Sequence, residues 1–98
     1  MDYNNGKQIE AYVIETLKIG PRKTVKSFFT RVSSKSDIED YIVLRMILRA
    51  FGRSNVHITR GQISTALKYS PEYKEDGTRL WIKELWDIYE YYRQGNRS

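Results

Sequence analysis

Cysteine is absent from this 98-residue chain, and His57 is its single histidine. Thiolate catalysis, disulfides and cysteine-ligated zinc are therefore excluded, and one histidine cannot form an all-histidine metal site. The sequence also contains no nucleophile elbow, phosphate-binding loop or calcium-loop spacing. We therefore expect a protein that is not an enzyme and that uses neither a metal nor a cofactor.

Long apolar runs are also missing, since no stretch approaches the roughly eighteen consecutive apolar residues of a transmembrane helix. The first residues, Met1 to Gly6, lack the basic start and apolar core of a secretory signal. Hydrophobic residues make up 40% of the chain and charged residues 30%, as in a globular domain. We expect one cytoplasmic domain over residues 1–98, with no membrane partner.

Positive charge is unevenly distributed along the chain, whose formal net charge is +5. Residues 16–36 contain six basic residues and no acid, and residues 41–71 contain five basic residues and no acid. Residues 72–98 instead carry six acids against five bases. The two basic stretches favour a polyanionic partner such as nucleic acid.

Apolar residues at helical spacing predict the first three of about five helices. The first ends at Gly20, where glycine suits a C-cap. The second begins at Pro21, because proline suits a first helical position. Ser36 and Glu39 form a capping box before a third helix at 37–51, which is apolar almost all round and should form the centre of the core.

The second half of the chain predicts two more helices. A capping box of Thr59 and Gln62 opens the fourth, and residues 55–58 before it suit a short strand or an extended link. Further along, Asp76-Gly77 suits either the tip of a β-hairpin or a loop before Thr78 caps the last helix.

The segment from His57 to Pro71 resembles the first helix and turn of a helix-turn-helix motif. The residues that match the motif in order are Thr59, Gln62, Ile63, Ser64, Leu67 and Ser70. Small Ser64 would let the next helix approach closely. Lys68 departs from the motif, because it stands where a glycine normally adopts a left-handed conformation. A plain capped amphipathic helix is the alternative interpretation.

With the fourth helix as recognition helix, the element order resembles the small winged-helix regulators and segregation adaptors of archaeal plasmids and viruses, including the PadR-like group. The resemblance implies a mainly α, winged-helix or helix-turn-helix bundle, with a short β-hairpin wing at 69–82 and a dimerisation helix at 79–93. The last helix is a poor reader of an electronegative groove, because it carries Glu84, Asp87 and Glu90. We therefore expect the fourth helix to contact the bases.

Ten polar or basic residues are candidate DNA contacts. They are Arg22, Lys23, Lys26, Arg53, Arg60, Gln62, Ser64, Thr65, Lys68 and Arg79. The first two are expected at a helix N-terminus, where the macrodipole disfavours cations by a few tenths of a kcal/mol. Phosphate contact would explain their position, and a basic face that serves only solubility is the alternative.

Arg45, Arg49 and Arg53 are spaced by four and form a charged ridge on the third helix. They either pair with the acids of the last helix or contact phosphate, and we expect internal pairing. Arg53 should be the least tied of the three, because it lies at the end of the helix.

Aromatic residues crowd the last helix. The candidates for a dimer interface are Trp81, Trp86, Tyr89, Tyr91 and Tyr92, although Trp86 and Tyr89 also suit the core. Two-fold symmetry would match a palindromic operator.

These expectations predict a homodimer that binds double-stranded DNA with full or partial sequence specificity. Its role would be transcriptional regulation or the maintenance of a plasmid or viral genome. The alternative is an interaction module or inhibitor that binds another protein through the aromatic last helix. Charge alone leaves RNA and single-stranded nucleic acid open as ligands.

Overall fold

The computed structural model describes residues 3–20, 23–72 and 75–95, and within them the chain forms five α-helices. The helices are α1 (Gly6–Ile19), α2 (Val25–Ser33), α3 (Asp40–Arg53), α4 (Arg60–Leu67) and α5 (Glu75–Gly95). No strand occurs in these ranges, so the mainly α prediction is confirmed. No helix in the same ranges is long and apolar enough to cross a membrane.

The first two helices begin at side-chain caps. The Asn5 carboxamide oxygen accepts a hydrogen bond from Gln8 N at 2.9 Å, and α1 ends before Gly20 as predicted. In α2 the Thr24 hydroxyl accepts from Ser27 N at 3.1 Å, and the Ser27 hydroxyl accepts from Thr24 N at 2.9 Å. This reciprocal box satisfies two backbone donors, so α2 starts at Val25 and the predicted start at Pro21 is wrong.

The predicted capping boxes of the third and fourth helices do not form. The Ser36 hydroxyl accepts from Ile38 N at 3.0 Å and thus makes a local turn, so α3 begins only at Asp40. Thr59 occupies the N-cap position of α4 as predicted, but its side chain makes no capping hydrogen bond. At the end of α4, Lys68 is right-handed, so the turn needs no glycine there.

Helix α3 is the centre of the core, as its apolar sequence predicts. It packs against α1, α2 and α5. Its buried residues are Val43, Leu44, Ile47, Leu48, Ala50, Phe51 and Gly52. At Gly52 the approach of α5 is so close that a Cβ would lie 2.7 Å from the carbonyl oxygen of Tyr89. Glycine at this position therefore sets the spacing between α3 and α5.

The connection from α3 to α4 is an extended link and not a strand. Asn55 takes a left-handed conformation, with φ of 55°, where α3 ends. The buried Tyr89 hydroxyl then donates to the carbonyl oxygen of Val56 at 2.7 Å and accepts from Ile58 N at 3.2 Å. One tyrosine of α5 thus satisfies two polar groups of the link and fixes the start of α4.

The β-hairpin wing predicted at 69–82 is not formed in the described residues. Residues 69–72 make turns after α4, and α5 is already helical from Glu75, so residues 76–78 lie inside a helix. The Ser70 hydroxyl donates to Asp40 Oδ2 at 2.7 Å and holds this turn at the start of α3. A two-stranded ribbon without a third strand is only marginally stable, whereas a helix here continues the packing of α5.

Candidate nucleic-acid interface

An open groove of about 530 Å³ lies between the N-terminal ends of α2 and α4. Its lining residues are Thr24, Lys26, Thr59, Gly61, Gln62 and Thr65. They offer an ammonium group, a carboxamide and hydroxyls, and no carboxylate. Such a surface can donate to phosphate oxygens and can both donate to and accept from base edges.

The groove forms because α2 and α4 bury their apolar faces and pack against each other. Phe28 and Phe29 anchor α2, and Ile63, Ala66 and Leu67 anchor α4, all within the core. The polar residues between these anchors are left on the outer side of each helix. Two short amphipathic patterns thus place Lys26 of α2 beside Gln62 and Thr65 of α4.

Tyr69 lies next to the groove through its contact with Lys26. The Lys26 Nζ atom is 4.3 Å from the centroid of the Tyr69 ring. Hydrogen bonding to this ammonium, together with its charge, lowers the pKa of the Tyr69 hydroxyl. The side chain is nevertheless 54% exposed. The sequence patterns did not single out Tyr69, because its partner lies on another helix.

The predicted DNA contacts separate into groups. Lys26, Gln62 and Thr65 line the groove, while half-buried Ser64 does not. Lys68 is exposed at the C-cap of α4, beside Tyr69.

Arg60 on α4, Arg79 on α5 and Lys23 before α2 lie outside the groove lining. Arg60 is exposed, and its guanidinium lies 5.4 Å from the Trp86 ring centroid, towards α5. Lys23 is exposed but precedes the Thr24 cap, so it is not in a first helical turn as predicted. Arg79 is exposed on α5, and Arg22 lies outside the described residues.

Two of the three ridge arginines of α3, Arg49 and Arg53, pair with Glu10 of α1. Glu10 Oε1 lies 3.1 Å from Arg53 Nε, and Glu10 Oε2 lies 3.7 Å from Arg49 Nε. Both guanidiniums also lie over the ring of Tyr92, with centroid distances of 4.6 Å for Arg49 and 5.0 Å for Arg53. The expectation that Arg53 is the least tied arginine is therefore wrong. Buried Glu10 faces α3 and requires cations nearby, which explains the choice of partner.

Glu84, which is predicted to pair with an arginine of α3, forms a hydrogen bond with a tyrosine instead. The Tyr41 hydroxyl donates to Glu84 Oε2 at 2.5 Å. Burial, then the hydrogen bond to Glu84 and the charge of Glu84, raise the pKa of Tyr41 to about 12. This contact ties α3 to the middle of α5.

The aromatic residues of α5 do not share one exposed face. Tyr89 is fully buried and bonded to the α3–α4 link, so its predicted place in a dimer interface is wrong. Trp81 and Trp86 are half-buried against the core, and Tyr92 is half-buried beneath two arginines. Tyr91 is 71% exposed.

Leu80, which is not among the predicted interface residues, is 66% exposed. Eleven residues correspond to about three helical turns, so Leu80 and Tyr91 lie on one side of α5. The exposed apolar surface of this helix is therefore smaller than its aromatic content predicts.

Comparison with protein-family profiles, curated proteins and solved structures finds no significant match. The described residues also contain no cluster of histidine, aspartate or glutamate side chains that could hold a metal ion. The fold and the groove thus define a small, mainly helical protein with a polar, cationic surface between two helix ends.

Proposed function

We propose that this protein binds double-stranded DNA through the groove between α2 and α4. The observation that carries the proposal is the meeting of Lys26, Gln62 and Thr65 at one open surface, whose described lining contains no carboxylate. These residues belong to two helices. The acid-free basic stretches at 16–36 and 41–71, which contain them, independently favour a polyanionic ligand. Lysine would contact phosphate, and the amide and hydroxyl would face base edges.

Helix α4 is the proposed recognition helix, because the major groove, roughly 12 Å wide, admits an α-helix. The N-terminal end of α2 would contact the adjacent phosphates. Helix α4 packs on α2 and α5, whereas a helix-turn-helix motif packs two consecutive helices, so the motif does not follow from this packing. The link between α3 and α4, residues 54–59, is longer than the roughly three to four residues that usually connect such helices.

The proposed biological role is transcriptional regulation or the maintenance of a plasmid or viral genome. Either role suits a homodimer, in which two copies of α4 read the two halves of a palindromic site. Leu80 and Tyr91 are the exposed apolar residues of α5 that would join the two copies.

Fluorescence anisotropy with a labelled duplex, from about 50 to 200 mM salt, tests DNA binding. We expect a Kd of roughly 10⁻⁶ M or tighter at low salt that weakens steeply as salt rises. The double variant Lys26→Gln with Lys68→Gln should bind more weakly and lower the salt slope by about two released counterions.

The matched control is Lys7→Gln with Lys83→Gln, which removes the same charge from exposed positions on α1 and α5. It should retain most of the affinity. Equal weakening by both double variants would mean that net charge, and not the groove, attracts DNA. A Kd above about 10⁻⁴ M for the unmodified protein would overturn the proposal.

A second candidate function is binding of another protein through α5, which the exposure of Leu80 and Tyr91 favours. Mutation and duplex binding distinguish the two functions. If α5 binds only a protein partner, Leu80→Ala with Tyr91→Ala abolishes binding of that partner, and the unmodified protein does not bind duplex.

A further inference from the structure

Tyr69 presents an exposed aromatic ring at the edge of a cationic groove. Its side chain is 54% exposed, and its contact to Lys26 joins it to a residue that lines the groove. Packing between α2 and α4 does not require this ring, because buried apolar residues of both helices already supply the contact. The ring is therefore available to a ligand that occupies the groove.

An exposed tyrosine ring beside an ammonium group suits one feature of nucleic acids in particular. Aromatic side chains stack on bases, and a cation nearby contacts the phosphate that follows. Bases in the interior of a duplex are stacked on each other and present only their edges. An interior base therefore cannot stack on Tyr69, whereas an unpaired base can.

We infer that Tyr69 is a stacking platform for an unpaired base, and that the preferred ligand is duplex DNA that continues into a single-stranded end. This inference rests on the proposed binding of DNA in the groove. The base would stack on the face of the ring opposite Lys26, whose Nζ atom lies 4.3 Å from the ring centroid, and Lys26 would contact a phosphate from the groove.

The test compares three labelled ligands that share one duplex: a blunt duplex, the duplex with a short thymine overhang, and the duplex with an abasic overhang of equal length. The abasic overhang has the same phosphates as the thymine overhang but no bases. We expect the thymine overhang to bind about tenfold more tightly than the abasic one. The blunt duplex should bind least tightly, because it lacks the extra phosphates.

Two substitutions at position 69 test whether the aromatic ring causes the difference in affinity between the thymine and abasic overhangs. Tyr69→Leu should remove the tenfold preference for the thymine overhang, and Tyr69→Phe, which keeps the ring, should retain it. Affinity for the blunt duplex should change little in either variant, and thermal unfolding checks that both are folded.

Equal affinity for the thymine and abasic overhangs would overturn the inference, as would a preference that survives in Tyr69→Leu. Both results leave the duplex proposal standing if the blunt duplex still binds. Failure of all three ligands to bind would instead overturn the proposed function.

Discussion

The Tyr89 hydroxyl of α5 donates a hydrogen bond to the carbonyl oxygen of Val56 at 2.7 Å. The Tyr89 hydroxyl oxygen also accepts from Ile58 N at 3.2 Å, so one side chain satisfies a donor and an acceptor of the link before α4. Tyr89 and Val56 lie 33 positions apart in the sequence, and Tyr89 is fully buried. Placement of α4 thus depends on a helix that follows it in the chain.

Removal of this hydroxyl in Tyr89→Phe should lower the free energy of unfolding by about 1–3 kcal/mol, because buried Ile58 N would lose its partner. Urea denaturation measures the change. Tyr91→Phe is the control, because Tyr91 is exposed and should lie within about 0.5 kcal/mol of the unmodified protein. Equal stability of the two variants would show that the link does not depend on Tyr89.

Gly61→Ala should stabilise the protein by about 0.5–1 kcal/mol, because glycine is a poor residue in a helix. The new Cβ would meet the Thr59 hydroxyl oxygen at 3.6 Å, an ordinary contact. Since Gly61 lines the groove, the same methyl group should weaken duplex binding. Thermal unfolding and anisotropy measure the two effects.

The control for this change is Gly95→Ala at the end of α5, where a Cβ meets no atom within 4 Å. It should leave duplex binding unchanged. If Gly61→Ala binds duplex as tightly as the unmodified protein, the ligand does not approach the backbone at the start of α4.

Glu10→Gln should lower the free energy of unfolding by about 1–3 kcal/mol. The buried carboxylate lies between Arg49 and Arg53, and a neutral amide would leave their charges uncompensated. Glu15→Gln breaks the exposed pair with Lys18 and should change stability by less than about 0.5 kcal/mol. Chemical denaturation compares the two. A small effect at Glu10 would mean that stacking on Tyr92 holds the arginines without it.

Alkaline pH should destabilise the protein through Tyr41. The pKa of its hydroxyl is raised from 10.0 to about 12 in the folded chain, so the unfolded chain loses this proton first. The contribution to stability is therefore complete below about pH 10 and is lost as the pH rises towards 12.

Urea midpoints at about pH 9 and pH 11 measure this loss, and Tyr41→Phe shows how much of it belongs to Tyr41. The unmodified protein should lose more stability than Tyr41→Phe between the two values. Parallel losses would show that the hydrogen bond to Glu84 does not retain the proton.

Local patterns predicted the helices well. The period of the apolar residues located α1, α3 and α4, and it selected the residues of α4 that are buried. Helix α2 starts at Val25 and not at Pro21 because Thr24 and Ser27 cap it. Ser27 stands where a capping-box pattern has Glu or Gln, so the pattern does not indicate this start. The wing was predicted from a turn dipeptide, which does not report whether a neighbouring strand or helix is available.

The site was predicted only where one helix supplies it. Gln62 and Thr65 follow from the outer face of α4, but their meeting with Lys26 depends on how α2 packs. In the same way, Glu10 pairs with arginines about forty positions away because α1 packs along α3. The residue pattern of a single segment cannot predict such a contact between two helices.

Helix α4 has eight residues, too few to be stable alone in water. Tyr89 of α5 fixes the link before its N-terminus, and the hydrogen bond from Ser70 to Asp40 of α3 fixes the turn after its C-terminus. A peptide that spans only α2 to α4 would keep every residue of the groove and lose the first of these anchors. The groove therefore belongs to the whole bundle and could not be transplanted as a short motif.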